Sequence, residues 1–439
     1  MKMLNKHIIN IRESMHLDRS KFTSLLLDSI YSLEEEKRRE EKRREELLTL
    51  KIFNLLLAQY EFRHGFQKLL SRPFFIDLDP ANACQLHCPG CIHSPTVAPK
   101  ADWNRAVMDY KIFKDFMKHY GPYSFGMYFY NYGEPFINRN IYQMIKYARG
   151  FGVSIAISSN LSLPVDAHAL VESGLDTLIC SIDGATQETY EIYRRGGNLK
   201  KIEENIRAIS AEKLRTEKSA PNIVWQFLTF EHNIHELDMA RKLANEWGAN
   251  QFIIGSPFSV QSDDPTIKEL SVPEAGWHSF PTFDWNGFVK NGASTWDHLN
   301  LSEIEHEYKA FKQRLARFDP NKFKQSTFTK YCDWPYKALV FDGSGRILPC
   351  CSMPLISDNG KWEMGVWGEH LDIEASYNTP EFQDLRMNQY RLGACEHCGG
   401  KEYLIFDTEH IKRDLQWWPV YQVLNDESIE ALCNWKSML

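Results

Sequence analysis

No stretch of about 18 uncharged apolar residues occurs in this 439-residue chain, so no membrane span is expected. An excess of cations is also missing. The 51 Lys and Arg residues are outnumbered by 58 Asp and Glu, and a net charge of −7 supplies no global attraction to nucleic acid, which is not expected as a partner. The first residues include Lys2 and Lys6 but then His7, Arg12, Glu13 and Asp18, which break the apolar core that a secretory signal needs. A cytoplasmic location is therefore expected. Cysteine is sparse, with ten residues in the whole chain, and in a reducing compartment their clustering points to metal ligation or catalysis ahead of disulfides.

What is present is the composition of a folded globular protein, 43% apolar and 25% charged, long enough for about three domains of roughly 150 residues. Residues 1–72 read as a helical extension. Leu25, Ile30 and Leu33, then Leu47, Leu50, Phe53 and Leu56, recur at helical spacing on either side of a charged run from Glu34 to Glu46. Glu34 with Arg38, Glu35 with Arg39 and Glu40 with Arg44 are i,i+4 pairs of favourable order, each worth about 0.2–0.5 kcal/mol. A solvated helix is the plain reading of that run, and a surface that docks a protein or peptide the sharper one.

From Phe74 onward short β-branched or aromatic runs alternate with amphipathic stretches of about a dozen residues, the pattern of βα units and a parallel sheet. Six strands are expected near Phe74–Asp79, Gly126–Tyr130, Val153–Ser158, Thr177–Asp183, Ile223–Phe230 and Gln251–Gly255. Helices are expected over Asp109–His119, Arg139–Gly150, Val165–Ser173, Lys200–Leu214 and His235–Trp247, with glycine C-caps after the second and fifth. The fold class is thus α/β, a partial (β/α)6 barrel over residues 73–255. Residues 256–326 read as an insertion or linker with a helix at about Ser302–Phe318, residues 327–404 as a small α+β domain rich in cysteine, and 405–439 as a helical tail.

Cys84-Gln-Leu-His-Cys88-Pro-Gly-Cys91 follows the first strand, where a βα loop projects over the carboxyl end of the sheet and ligands bind. Three thiolates in one tight loop suit three irons of a [4Fe–4S] cube and leave the fourth iron open. Zinc is the competing reading, and it needs His87 or His93 as a fourth ligand.

A C-x3-C-x2-C loop after the first strand of a βα series resembles the defining motif of the radical S-adenosylmethionine (radical SAM) superfamily, and the resemblance extends over about Phe74–Leu404. It implies S-adenosylmethionine as cofactor, bound through its amino and carboxylate groups to the open iron and cleaved reductively to a 5′-deoxyadenosyl radical. Tyr132-Gly133-Glu134-Pro135 looks like the family's Gly-Gly-Glu-Pro segment, whose carboxylate meets the methionine ammonium. Ser159 and Asn160 match a polar pair near the ribose, and Ser181-Ile-Asp183-Gly is a further typical segment. Arg194 or Arg195 suits the cofactor carboxylate. On the fifth strand Gln226 and Leu228 share the face of Val224 and complete the cofactor-binding set. Three positions depart from the family pattern. Tyr132 stands for the first glycine, Gly90 for an aromatic residue, and Leu161 for a glycine. Taken singly, each polar residue is as well explained as a cap or turn residue; their order along successive strands carries the resemblance.

Cys332, Cys350, Cys351, Cys395 and Cys398 form a second group, with a β-hairpin expected through the Asp-Gly turn of Phe341–Ile347. The spacing resembles the SPASM or shortened "twitch" domain of the superfamily, which implies a second, auxiliary [4Fe–4S] cluster on Cys332, Cys350, Cys395 and Cys398. Four-cysteine zinc is the alternative. Cys351 is either an alternative ligand or a hydrogen-donating thiol, and Cys180 is expected to pack outward into the core.

The resemblance implies an oxidoreductase or isomerase that removes a hydrogen atom from carbon, with oxidation, cross-linking or epimerisation as the outcome. Its substrate is expected to be a ribosomally made peptide or, failing that, a small molecule such as an aminosugar or cyclitol. A reductant such as flavodoxin or ferredoxin is the expected partner. The reading from another class is an iron–sulfur or zinc protein without turnover.

Overall fold

The computed structural model describes residues 2–35, 42–95, 105–255, 264–270, 301–317, 334–350, 364–367 and 376–388, with single residues at 257, 262 and 272. Six strands occur where the hydrophobic pattern puts them: β1 Phe75–Leu78, β2 Gly126–Tyr128, β3 Ser154–Ser159, β4 Thr177–Ser181, β5 Asn222–Leu228 and β6 Gln251–Gly255. They pair in parallel and in chain order. A seventh strand, β7 Ala338–Phe341, joins the free side of β1 in parallel, and β8 Arg346–Leu348 and β9 Gly365–Val366 follow antiparallel. Among the described residues the order β6-β5-β4-β3-β2-β1-β7-β8-β9 leaves β6 and β9 as edges, an unclosed barrel. The Asp-Gly hairpin is present, and it continues the barrel sheet.

Helices α4 Tyr110–Tyr120, α5 Ile141–Arg149, α6 Ala167–Ser173, α8 Leu199–Arg215 and α9 Leu237–Trp247 cover the convex side. Side-chain caps start three of them: Asp109 accepts from Lys111 N and Ile112 N, Asp166 from Ala169 N, and Asn198 from Lys201 N. The glycine expectation needs correction at the second helix. Gly150 is right-handed at φ −60°, and the left-handed residue is Gly152 at φ 62°; after α9, Gly248 takes φ 96° as a C-cap should. Helix α7 Gln187–Tyr193 was not among the expected helices.

The N-terminal helices are α1 Lys2–Glu13, α2 Arg19–Glu35 and α3 Lys42–Arg63. Part of the charged run, 36–41, lies outside the described residues. The helices on either side of it are buried into the same core as the barrel, including Phe22, Ile30, Leu50, Phe53 and Leu56. From Glu46 onward α3 is covered on nearly every side, and it buries polar residues such as Thr49, Asn54 and Gln59 along with its apolar ones. Lys51 fixes where it lies. Its ammonium, buried in the fold, donates to the carbonyls of Ser124, Gly121 (3.4 Å) and Gly152 (3.3 Å), which precede β2 and β3. Thus α3 closes the amino-terminal floor of the barrel, away from the cysteine loop.

The helix Leu301–Ala316 appears close to its expected place and packs on α2 and α3. Helix Pro380–Asn388 ties the far end of the chain to the floor through Arg386. That buried guanidinium donates to Pro335 O (3.0 Å), Gln67 O (3.1 Å), Tyr377 O (2.7 Å) and Asn378 Oδ1 (3.2 Å). Asn378 in turn exchanges two 2.8 Å bonds with the backbone of Leu69. Arg386→Met should lower unfolding stability by about 3 kcal/mol, because several buried acceptors lose their donor at about 1–3 kcal/mol each with partial compensation. Chemical denaturation followed by far-UV circular dichroism would read it, and a shift under about 0.5 kcal/mol, the scale of a neutral surface change, would refute the clamp. The tail 405–439 lies outside the described residues.

Candidate active site

Every loop that leaves the carboxyl end of β1 to β5 brings a polar or sulfur-bearing side chain to one place. The β1 loop is anchored by Asp79, which accepts from Asn131 N (2.9 Å), Tyr132 N (2.9 Å) and Gly133 N (3.2 Å to each oxygen) of the β2 loop. Burial pushes its carboxyl up to about 6 against the pull of those donors. Sequence periodicity overlooks Asp79, although an acidic residue closing an apolar strand five positions before Cys84 is a visible signal.

The cysteine loop owes its shape to Pro89 and Gly90. Cys91 N donates to Cys88 O at 3.1 Å across a turn with Pro at its second position and Gly90 at φ 80° in its third, as a type II turn demands. The residue that departs from the family's aromatic is thus the one that lets Cys88 and Cys91 approach. Cys84, Cys88 and Cys91 share an apolar cluster with Leu86, Tyr193, Phe230 and Ile267. Leu86 N (3.4 Å) and Asn160 Nδ2 (3.7 Å) donate to Cys84 Sγ.

Burial raises all three thiols, Cys88 to about 12, with Arg194 pulling Cys88 and Cys91 the other way and Glu134 adding to the rise at Cys84. A metal ligand is a thiolate. The loop by itself therefore holds neutral thiols, and a cationic metal centre is what would draw their protons off. The ring nitrogens Nδ1 of His87 and Nε2 of His93 turn to the carbonyls of His93 (3.2 Å) and Tyr132 (3.0 Å). Among the described residues no three His, Cys, Asp or Glu side chains surround one point as ligands of a single ion do. The donor set fits a multinuclear iron–sulfur cluster with three thiolates better than a closed tetrahedral zinc site.

Beside the thiols, Glu134 is buried and accepts from Ser159 Oγ (2.7 Å), Asn160 N (2.9 Å) and Phe136 N (3.2 Å), while its own N–H donates to Ala83 O at 2.8 Å. Burial raises its carboxyl to about 7. Asn160 Oδ1 receives Gln85 Nε2 at 2.8 Å, so the β3 loop is stitched to the cysteine loop. Leu161 takes φ 52°, a left-handed position, which explains why glycine suits it elsewhere; here its side chain is held in the core instead.

The β4 loop supplies Asp183, whose oxygens accept from Leu228 N (2.7 Å) and Arg194 Nε (2.5 Å). Arg194 lies just past α7 and its charge reaches Cys88. Glu236 sets that helix in place by accepting from Ala185 N, Thr186 N, Thr186 Oγ1 and Thr189 Oγ1 at 2.6–3.1 Å. The two arginines are thereby separated: Arg194 is mostly buried beside the cysteine loop, whereas the half-exposed Arg195 side chain pairs with Asp264 at 2.5 Å and only its carbonyl meets the loop, through His87 N at 3.0 Å. Ser181 bonds Ser158 (3.1 Å) on the concave face, and the register Ser181↔Gln226 puts Gln226 next to it. Cys180 packs in the convex core. Asn233, also overlooked in the sequence, donates to Asp183 O (3.0 Å) and Leu228 O (2.8 Å).

Of the second cysteine group only Cys350, just past β8, lies among the described residues; Cys332, Cys351, Cys395 and Cys398 lie outside them.

Fold and site define an unclosed α/β barrel with a three-thiol loop at the carboxyl end of its first strand. Residues 78–256 match the family model of the Radical SAM superfamily, and this part of the chain is a radical SAM domain. An AdoMet-dependent heme synthase of Oleidesulfovibrio alaskensis is 22% identical over 278 residues, 61% of this chain and 66% of the synthase, so the match spans a little under two thirds of that relative. Among solved structures, SuiB of Streptococcus suis bound to S-adenosylmethionine aligns with TM-score 0.48 and 12% identity over 87% of this chain and 83% of SuiB. Native anSMEcpe with bound AdoMet and Cp18Cys peptide aligns with TM-score 0.42 and 15% identity over 75% of this chain and 87% of anSMEcpe. In the described helices no segment is long and apolar enough to cross a membrane.

Proposed function

We propose that this chain is a radical SAM enzyme whose cluster is held by Cys84, Cys88 and Cys91. The observation that supports the reading is the convergence of one buried and two partly buried thiols with Glu134, Ser159 and Asn160 on adjacent loops. A [4Fe–4S] cluster held by the three cysteines would supply reductive cleavage of S-adenosylmethionine and, through it, hydrogen abstraction from carbon. The chain's own residues bind and orient. Glu134 receives the methionine ammonium, Arg194 offers a fixed positive charge to the carboxylate, and the Ser158, Ser181, Gln226 and Leu228 positions face the nucleoside and substrate side. Anaerobic reconstitution with S-adenosylmethionine and dithionite tests the reading: 5′-deoxyadenosine should be released, and its absence from cluster-loaded protein would overturn it.

Glu134 adds a pH signature. An amino group donates more strongly to the ionised carboxyl, and burial holds Glu134 at about 7, so affinity for S-adenosylmethionine should rise as pH increases through that value. Glu134→Gln should bind weakly with no such rise. Equal pH profiles by calorimetry would remove Glu134 from this role.

The substrate proposed is a ribosomally made peptide, supported by the likeness of the Cys332–Cys398 spacing to the SPASM or twitch pattern. That spacing also supports an auxiliary [4Fe–4S] cluster as electron acceptor. Replacing Cys395 and Cys398 together should then depress product far more than 5′-deoxyadenosine, and an unchanged ratio would sink the acceptor role. A second reading, a small-molecule substrate, is favoured by the heme synthase relative.

A further inference from the structure

We propose that Asp77 and the aromatic rings around it form a binding position for a cationic group of the substrate, an alkylammonium or guanidinium; this rests on the radical SAM reading of the same barrel. Along β1 the side chains alternate, with Ile76 and Leu78 in the convex core and Phe75, Asp77 and Asp79 on the concave face. The register places Tyr128 of β2 and Val340 of β7 beside Asp77. At a rise of about 3.3 Å per residue, Asp77 lies about 7 Å deeper in the barrel than Asp79.

Asp77 is 3% exposed, and its Oδ1 has no hydrogen-bond partner among the described residues. The neighbouring buried acids are unlike it. Asp79 takes three backbone N–H groups, Glu134 takes two and a hydroxyl, and Asp183 takes a guanidinium and an N–H. A buried carboxyl left without donors costs several kcal/mol, so a sequence free to place Asn, Ser or Val here has retained an unfavourable group. Burial and the charge of Asp79 both drive its carboxyl well up. An arriving cation would reverse this by pairing with the carboxylate, one proton leaving to solvent.

The surrounding rings supply the second half of the recognition. Phe75 packs edge-on to Tyr128 with centroids 4.7 Å apart, Tyr128 lies 5.3 Å from Tyr130, and Trp334 lies 6.4 Å from Phe75. Aromatic faces with one carboxylate among them attract ammonium and guanidinium groups and disfavour anions. A lysine or arginine side chain of a peptide has the required length and charge. A polyanionic small molecule does not.

The test uses the full chain, anaerobically reconstituted, with Nα-acetyl-lysine methylamide as probe, its uncharged norleucine analogue as control, and calorimetry or saturation-transfer NMR as readout. Wild type should bind the lysine probe at least about tenfold more tightly than the norleucine one. Asp77→Asn should erase that preference, and Asp77→Glu should keep most of it. Equal affinity of wild type for both probes, or an undiminished preference in Asp77→Asn, overturns the proposal. If Asp77→Asn does not fold, the wild-type ratio and the Glu variant decide. Release of 5′-deoxyadenosine is measured on the same wild-type samples: its absence beside a clear lysine preference removes the radical reading and leaves the cation site, and the opposite pattern does the reverse.

Discussion

Cys84→Ala, Cys88→Ala and Cys91→Ala should each reduce 5′-deoxyadenosine formation to background and remove the cluster held by this loop. On the proposed reading Cys84, Cys88 and Cys91 would together hold the cluster, and two of them would not. Little of the effect should come from unfolding. The thiols are protonated in the bare loop because burial raises them, and losing one small side chain costs about 1 kcal/mol. Cys180→Ala is the matching control, since that thiol is fully buried yet faces the helices on the convex side. It should lose a little thermal stability and keep both cluster and cleavage. Iron content, visible absorbance and product chromatography read all four variants. Wild-type cleavage in any of the first three would refute the assignment, and so would loss of the cluster in a folded Cys180→Ala protein.

Strand positions were legible because a parallel strand covered on both faces reads as a short apolar run, and each of the six begins within a residue or so of its expected place. Their carboxyl ends were less so. Phe129 and Tyr130, or Ile182 and Asp183, keep strand-like sequence but leave the ladder to carry the site loops. How the N-terminal helices pack on the barrel was not legible, because helical spacing shows that a face is apolar and not what covers the rest. Lys51 is an example, since its three backbone carbonyl acceptors are brought around it only by folding. The cysteine, Glu134, Ser159 and Asn160 positions were visible through their spacing and order. Asp79, Glu236 and Asn233 were not, because each acts on backbone N–H or carbonyl groups brought near only by folding.

Gly133→Ala should cut cofactor cleavage by about 100-fold, through geometry rather than charge. A Cβ at position 133 would lie 1.5 Å from Ala81 O, 2.7 Å from Ala81 C and 3.3 Å from Ala83 O. All three are backbone atoms of the loop that leads into Cys84, so no side-chain rotation relieves the overlap, and the two loops must separate. Separation breaks the Glu134 N to Ala83 O bond and strains the bonds from Asp79 to residues 131–133. Glu134 would then shift by about an ångström relative to the thiols, and a misplacement of that size costs about 10²-fold in rate. Stability should fall by about 1–3 kcal/mol, the usual range for overpacking. The Tyr132 backbone spans the same contact, with N on Asp79 and O on His93. Folded Gly133→Ala protein that cleaves S-adenosylmethionine at the wild-type rate would show that the close contact between the β1 and β2 loops is not what holds Glu134 at the cluster.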